Sequence, residues 1–232
     1  MSNLRKLEQE LSASRDHAKA LAKEIEALQD QSNRVNHSIP LPRTGVDCSF
    51  SHPNYSKLKS AGISFVGRYL TGEGKALTRG EAISICSEGL DIFAIFETTG
   101  NRMSLGYSAG VFDAVQAKHA LDDLKPKGNP PVYFACDYNP EGPLAKSRPL
   151  DYIRGAVHEL GWHRVGLYAG FDVIAQAHAE NRCKFLYQTL AWSGGKWFLD
   201  AQLRQTGVGL DLLGASVDLD KAVSADFGQF RV

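Results

Sequence analysis

GVDCSFSHPNYSKLKSAGISFVGRYLTGEGKALTRGEAISICSEGLDIFAIFE, residues 45–97, holds three short apolar runs separated by stretches of different character. The runs Gly45 to Cys48, Ser64 to Tyr69 and Asp91 to Glu97 are rich in β-branched and aromatic residues, as strands are. Between the second and third, LTRGEAISICSEG has helical spacing, with Thr78 as a candidate N-cap and Glu81 three residues on. Strand, helix and strand in repetition mark a parallel sheet with crossover helices.

The same alternation continues downstream. Further strands are expected over Val132 to Asp137, Val165 to Tyr168, Thr189 to Trp192, Trp197 to Leu203 and Ser216 to Leu219. YSAGVFDAVQAKHALDDL, LDYIRGAVHELG and FDVIAQAHAEN carry the amphipathic spacing of helices, whereas Gln202 to Ala215 is glycine-rich with little period. Eight strands suit closure, so the expected fold is α/β, a (β/α)8 TIM-type barrel over residues 44–232.

Upstream the pattern changes. Leu4, Leu7, Leu11, Ser14, Ala18, Leu21, Ile25, Leu28, Ser32 and Val35 recur at steps of three and four, a heptad seam over residues 1–36. An N-terminal coiled-coil helix that self-associates is expected there, because a lone helix is marginal in water until its stripe is packed. Docking of that stripe on the barrel's own surface is the alternative. Residues 37–43 contain two prolines and read as a semi-extended linker.

A chain of 232 residues, 43% hydrophobic and 22% charged, accommodates one such domain and an appendage. Lys and Arg balance Asp and Glu at 26 each, so no overall field draws the chain to nucleic acid. No stretch approaches the roughly 18 apolar residues of a membrane span, and the N-terminus has no apolar signal core. Synthesis in the cytoplasm is expected, with any export left to another system. The scattered Cys48, Cys86, Cys136 and Cys183 read as buried thiols, and the histidines have no ligand spacing. No metal site and no cofactor are expected, since Walker and dinucleotide fingerprints are missing.

In such barrels the reacting groups close the strands at their C-terminal ends, around one cavity. The candidate catalytic residues are Asp137, Glu97, Asp47 and Asp218. The candidate substrate-binding residues are Arg68, Tyr69, Asn139, Tyr168, Trp192, Gln202 and Asp220. If Asp137 points inward so do Ala135 and Tyr133, and Glu97 goes with Ile95 and Phe93. Converging carboxyls beside aromatic faces match the needs of glycosidic cleavage, where one acid protonates the leaving oxygen and another carboxylate assists. Any one of these acids could instead be the N-cap of a following helix, and Arg68 could simply hold a neighbouring carboxylate ionised.

Taken with LTRGEAISICSEGLDIFAIFE, VYFACDYNP, GLYAG, LAWSGG and VDLDKA, the opening GVDCS and FVGRYL resemble the glycoside-hydrolase-like domain of unknown function 1906. The chain is similar, more distantly, to the muramidases of glycoside hydrolase family 25. The resemblance spans roughly residues 44–225 and implies an acidic site at the strand C-termini. It also implies a bacterial cell-wall polysaccharide, peptidoglycan, as the partner. In the muramidases an Asp-x-Glu pair closes strand four; here Asp137 is followed by Asn139 where the Glu would fall. A glycosidase and a glycan-binding module multimerised by its coiled coil are therefore both open. Delivery by a phage particle, a lysis system or an injection device would suit a wall-directed chain with a coiled-coil N-terminus.

Overall fold

The computed structural model describes residues 40–232, of which Leu41–Val232 form one compact unit. The expected coiled coil over 1–36, and residues 37–39 of the linker, lie outside the described residues. Eight strands close in sequence order into a barrel: β1 (Arg43–Cys48), β2 (Phe65–Tyr69), β3 (Asp91–Phe96), β4 (Val132–Ala135), β5 (Val165–Ala169), β6 (Phe185–Gln188), β7 (Leu203–Leu212) and β8 (Ala215–Ala222). Helices α1 (Tyr55–Ser60), α2 (Arg79–Ser87), α3 (Tyr107–Asp123), α4 (Pro143–Leu160) and α5 (Phe171–Ala179) connect β1 through β6. Thr78 caps α2 as its sequence indicates, its hydroxyl accepting from the Glu81 N–H.

Strands β1 to β7 pair in parallel, but β8 runs antiparallel to both β7 and β1. An eightfold βα repeat is therefore not what forms. The cause is local: Leu212 pairs with Ala215, leaving a two-residue turn in which Leu213 and Gly214 both have positive φ. That turn type joins antiparallel neighbours only, whereas a parallel crossover needs a dozen or more residues.

Two of the expected strands are displaced as well. Thr189 to Trp192 is loop, with β6 ending at Gln188, and Trp197 to Gln202 precedes β7. The buried run FLYQ is too short to stand out by periodicity, and the Gly194–Gly195 turn stood nearer the middle of the apolar stretch.

Strand alternation sorts the side chains into two layers. Phe65, Phe93, Ile95, Tyr133, Ala135, Phe185, Tyr187, Leu203 and Ala222 fill the barrel interior together with Phe227 from the C-terminal tail. The intervening residues, among them Val46, Val66, Ala94, Phe134 and Leu167, pack outward against Leu58, Ile85, Leu121, Ile153 and Ile174 of the helices. Gly67 faces inward, and a Cβ there would sit 2.3 Å from the Phe93 ring and 2.7 Å from Asp47 Cβ. Space for that ring and for Asp47 thus depends on a missing side chain.

The end of the barrel opposite the strand C-termini is stoppered. Phe227 packs on Phe65 at 4.7 Å between ring centroids, its carbonyl accepts from the Tyr133 hydroxyl, and Arg43 lies over both phenyl rings. Phe230 bridges to Ile92, and Arg231 pairs with Asp91 at 2.6 Å. Among the described residues no helix is long and apolar enough to cross a membrane.

Candidate active site at the barrel mouth

At the open end, a cavity of about 170 Å³ is lined by Asp47, Glu97, Asp137, Asp218, Tyr69 and Tyr168, all singled out in the sequence. Tyr187, Thr189 and Gln205 complete its polar wall, and Ile95, Ala135, Ala191 and Val208 supply the apolar part. Each acid arrives on a different element: Asp47 on β1, Glu97 just past β3, Asp137 just past β4 and Asp218 on β8. Asp47 and Asp218 are register partners across β1 and β8.

The four carboxyls have different surroundings. Asp47 is almost wholly buried, and burial, then Asp218, pushes its carboxyl up to about 7 against the hydrogen bonds from Tyr187 and Gln205. Asp137 stands at the rim with no hydrogen bond to its carboxyl among the described residues. Partial burial, then Glu97 and Asp218, raises its pKa above the ordinary carboxylate value. Burial raises Asp218 too, while its Oδ1 accepts from the Gly209 N–H at 2.7 Å and its Oδ2 from Gln205 at 2.9 Å. Glu97 is ion-paired with Lys75 at 3.1 Å, and the same ammonium lies 4.3 Å from the Tyr69 ring centre.

Gln205 organises the wall. Its Oε1 accepts from Thr189 at 2.7 Å and from Tyr168 at 3.2 Å, which turns its amide N–H groups toward Asp218 and Asp47. Hydroxyls on one side and carboxylates on the other leave the amide a single satisfying orientation. Gln205 is not among the candidate residues above because the expected seventh strand ends at Leu203, where β7 begins. Alternation from inward Leu203 would have found it, just as alternation from Phe185 finds Tyr187.

Five expected site residues lie elsewhere. Arg68 is on the opposite face of β2 from Gly67 and Tyr69, fully buried; it donates to the carbonyls of Cys48 and Ser49 and pairs with Glu81 at 3.0 Å. It braces the β1–α1 loop and does not line the mouth cavity. Gln202 stitches the β6–β7 edge, its Oε1 accepting from the Leu186 N–H at 2.8 Å, and lines a separate outer groove of about 520 Å³. Asp220 is fully buried beneath the cavity. Asn139 is exposed and does not line the cavity, and Trp192 is 42% exposed with a φ of 56°, one residue beyond Ala191. Among the described residues, no group of three or more His, Cys, Asp or Glu is placed to hold a metal ion.

Comparison with known proteins agrees with this architecture. Residues 56–220 match the family described as "Rv2525c-like, glycoside hydrolase-like domain". An uncharacterised protein of Bacillus subtilis (strain 168), FadG, is 29% identical over 147 residues, 56% of this chain and 25% of FadG. The chain thus spans about a quarter of the length of that curated relative. Among solved structures, the Tat-secreted protein Rv2525c of Mycobacterium tuberculosis, in complex with L-tartrate, superimposes with a TM-score of 0.75. It is 24% identical, and the match covers 80% of this chain and 98% of that one. The spore cortex lytic enzyme SleM of Clostridium perfringens shares the fold at a TM-score of 0.58 and 15% identity, covering 81% of this chain and 69% of SleM.

Proposed function

Since the chain belongs to the Rv2525c-like family of glycoside hydrolase-like domains, we propose that its mouth cleaves glycosidic bonds of a bacterial cell-wall polysaccharide, peptidoglycan by preference. The observation that carries this reading is the gathering of Asp47, Glu97, Asp137 and Asp218 in one cavity with different surroundings: Asp47 buried, Asp137 unbonded at the rim, Glu97 paired with Lys75. Acid and base roles are assigned by such differences. Asp137, unbonded at the rim and raised above the ordinary range, is the proton donor to the leaving oxygen. Glu97, paired with Lys75, and Asp47, on the floor, are the carboxylates that assist as positive charge builds on the sugar. Tyr69 and Tyr168 line the cavity and supply the aromatic rings for the saccharide.

The cavity is smaller than the ~300–1,000 Å³ of sites that enclose a whole drug-sized ligand. One ring of a polymer, with its neighbours lying on the rim, is what it takes. That SleM is a cortex lytic enzyme supports the wall as target. A second reading, glycan binding without cleavage, is favoured by Asn139: the position that would carry the muramidase Glu holds an amide facing solvent. Self-association through residues 1–36 and delivery by a phage particle, lysis system or injection device belong to this proposal on the heptad seam alone.

Purified peptidoglycan incubated with the native chain and with Asp137→Asn tests it. The native chain should release reducing sugar, and the variant should be slower by about 10²–10⁴-fold, the contribution of a general acid. Binding of peptidoglycan by both with release by neither would establish the non-cleaving reading.

A further inference from the structure

Beneath the cavity, the Tyr187 hydroxyl lies between two carboxyls, 2.7 Å from Asp47 Oδ2 and 2.6 Å from Asp220 Oδ1. All three groups are buried. A phenol has one proton to give, so it cannot donate to both neighbours. The second short contact needs a proton on one of the carboxyls.

Donor counting decides which. Asp47 Oδ2 also faces the Gln205 amide N–H at 3.4 Å, so two donors converge on Asp47. Asp220 meets only the shared phenol, and its Oδ2 has no hydrogen-bond partner among the described residues. An ionised carboxylate in so dry a place with one oxygen bare would be costly, whereas a neutral carboxyl loses far less. Asp47, by contrast, has the donors that a carboxylate wants.

We propose that Asp220 is a positioning residue kept as a neutral acid: it donates to Tyr187, which thereby donates to Asp47 and holds that carboxylate at the cavity floor. The sequence of donors runs Asp220 Oδ1–H to Tyr187 Oη, then Tyr187 Oη–H to Asp47 Oδ2. No bond other than hydrogen bonds is made or broken. Asp47 faces Asp218 and Asp220 from β8, Glu97 from past β3, Tyr69 from β2, Tyr168 from β5 and Tyr187 from β6. Burial first, then Asp218 and Glu97, push its proton on, and the Tyr187 and Gln205 hydrogen bonds help remove it. The chain of hydrogen bonds from Asp220 sets how much help Tyr187 gives. Burial, followed by Asp47, holds Asp220 itself well above the ordinary carboxylate value, in keeping with its neutral role.

This role of Asp220 rests on the glycosidase reading only where it concerns rate; the placement of the proton does not. Carbon-detected NMR titration of aspartate side chains in the full chain measures it directly. Asp220 should stay protonated at pH 7 while Asp47 titrates. Asp220→Asn, whose amide N–H can still donate to Tyr187, should leave the Asp47 midpoint unchanged. Tyr187→Phe keeps the ring packing and removes the hydroxyl; it should raise that midpoint by about one pH unit, the scale of a lost hydrogen bond to a charge. If activity is present, Tyr187→Phe should lower kcat at constant KM. An ionised Asp220 at pH 7, or an Asp47 midpoint that moves with Asp220→Asn as far as with Tyr187→Phe, would overturn the proposal. A protein that shows the expected titrations and releases no sugar would remove the glycosidase reading alone.

Discussion

The barrel has a helix-wrapped side, β1 to β6, and a side without helices among the described residues, the β7–β8 hairpin, whose last strand β8 alone delivers its residues to the cavity from the opposite chain direction. On β1 the chain climbs toward the mouth, so Gly45 is deep and Asp47, two residues later, is at the cavity. On β8 it descends, so Asp218 is at the mouth and Asp220, two residues later, is beneath it. Side-chain alternation holds equally on all eight strands; on β8 the sign of depth reverses. A rule that takes the last polar residue of each strand as the mouth residue therefore works on β1 and fails on β8.

The largest effect that would test this contrast is expected on the wrapped side, away from the cavity. Arg68→Ala leaves Glu81 and the loop carbonyls of Cys48 and Ser49 without their buried cation, and should cost about 3–5 kcal/mol in denaturant unfolding. A change in KM with unchanged stability would return Arg68 to the cavity. Next comes pH. The Asp47 carboxyl is raised in the fold, so the native state binds its proton more tightly than the unfolded chain does. Its contribution to stability is complete below the ordinary carboxylate range and is lost as pH rises toward about 7, at up to ~1.4 kcal/mol per pH unit. Asp47→Asn should flatten that slope in thermal melts between pH 4 and 7.

Smaller again is Gly67→Ala. Its Cβ would press on the Phe93 ring, an overpacking cost of about 1–3 kcal/mol, and it would also displace Asp47. Equal unfolding midpoints for this variant and the native chain would mean that the interior is looser than described. The smallest change, Gln202→Ala, separates two glutamines of one strand region. It should lose about 0.5–1.5 kcal/mol with kinetics intact, because Gln202 bonds only backbone at the β6–β7 edge. Gln205→Ala, in contrast, should lower kcat/KM.

How far the sequence could be read follows the same division. GVDC, FVGRY, DIFAIF, VYFA and VGLYA announce themselves because each is an apolar run set between helices of clear period, and Asp47, Glu97 and Asp137 could be placed from them. After α5 those cues disappear. FLYQ is four residues long, no helix separates it from β7, and the hairpin turn uses Leu213 where glycine or asparagine would have signalled a turn. Tyr187 and Gln205 were hidden by that loss of register, not by unusual chemistry. Asp220 was visible as an acid and misplaced in depth, since nothing in VDLDKA states which way the strand runs.

The filled barrel interior, with Asp47 and Tyr187 above the aromatic layer that Phe227 closes, gives the cavity a floor as well as walls. If the substrate is a polymer, as proposed, it could not thread through the filled barrel and would lie across the rim with one unit dipping inward. Whatever enters must leave by the same mouth, and moving to the next unit means lifting off and settling again. On the proposed reading, a chain built this way would work distributively, one encounter at a time, and its rate on an insoluble wall would depend on how long something else keeps it near the surface.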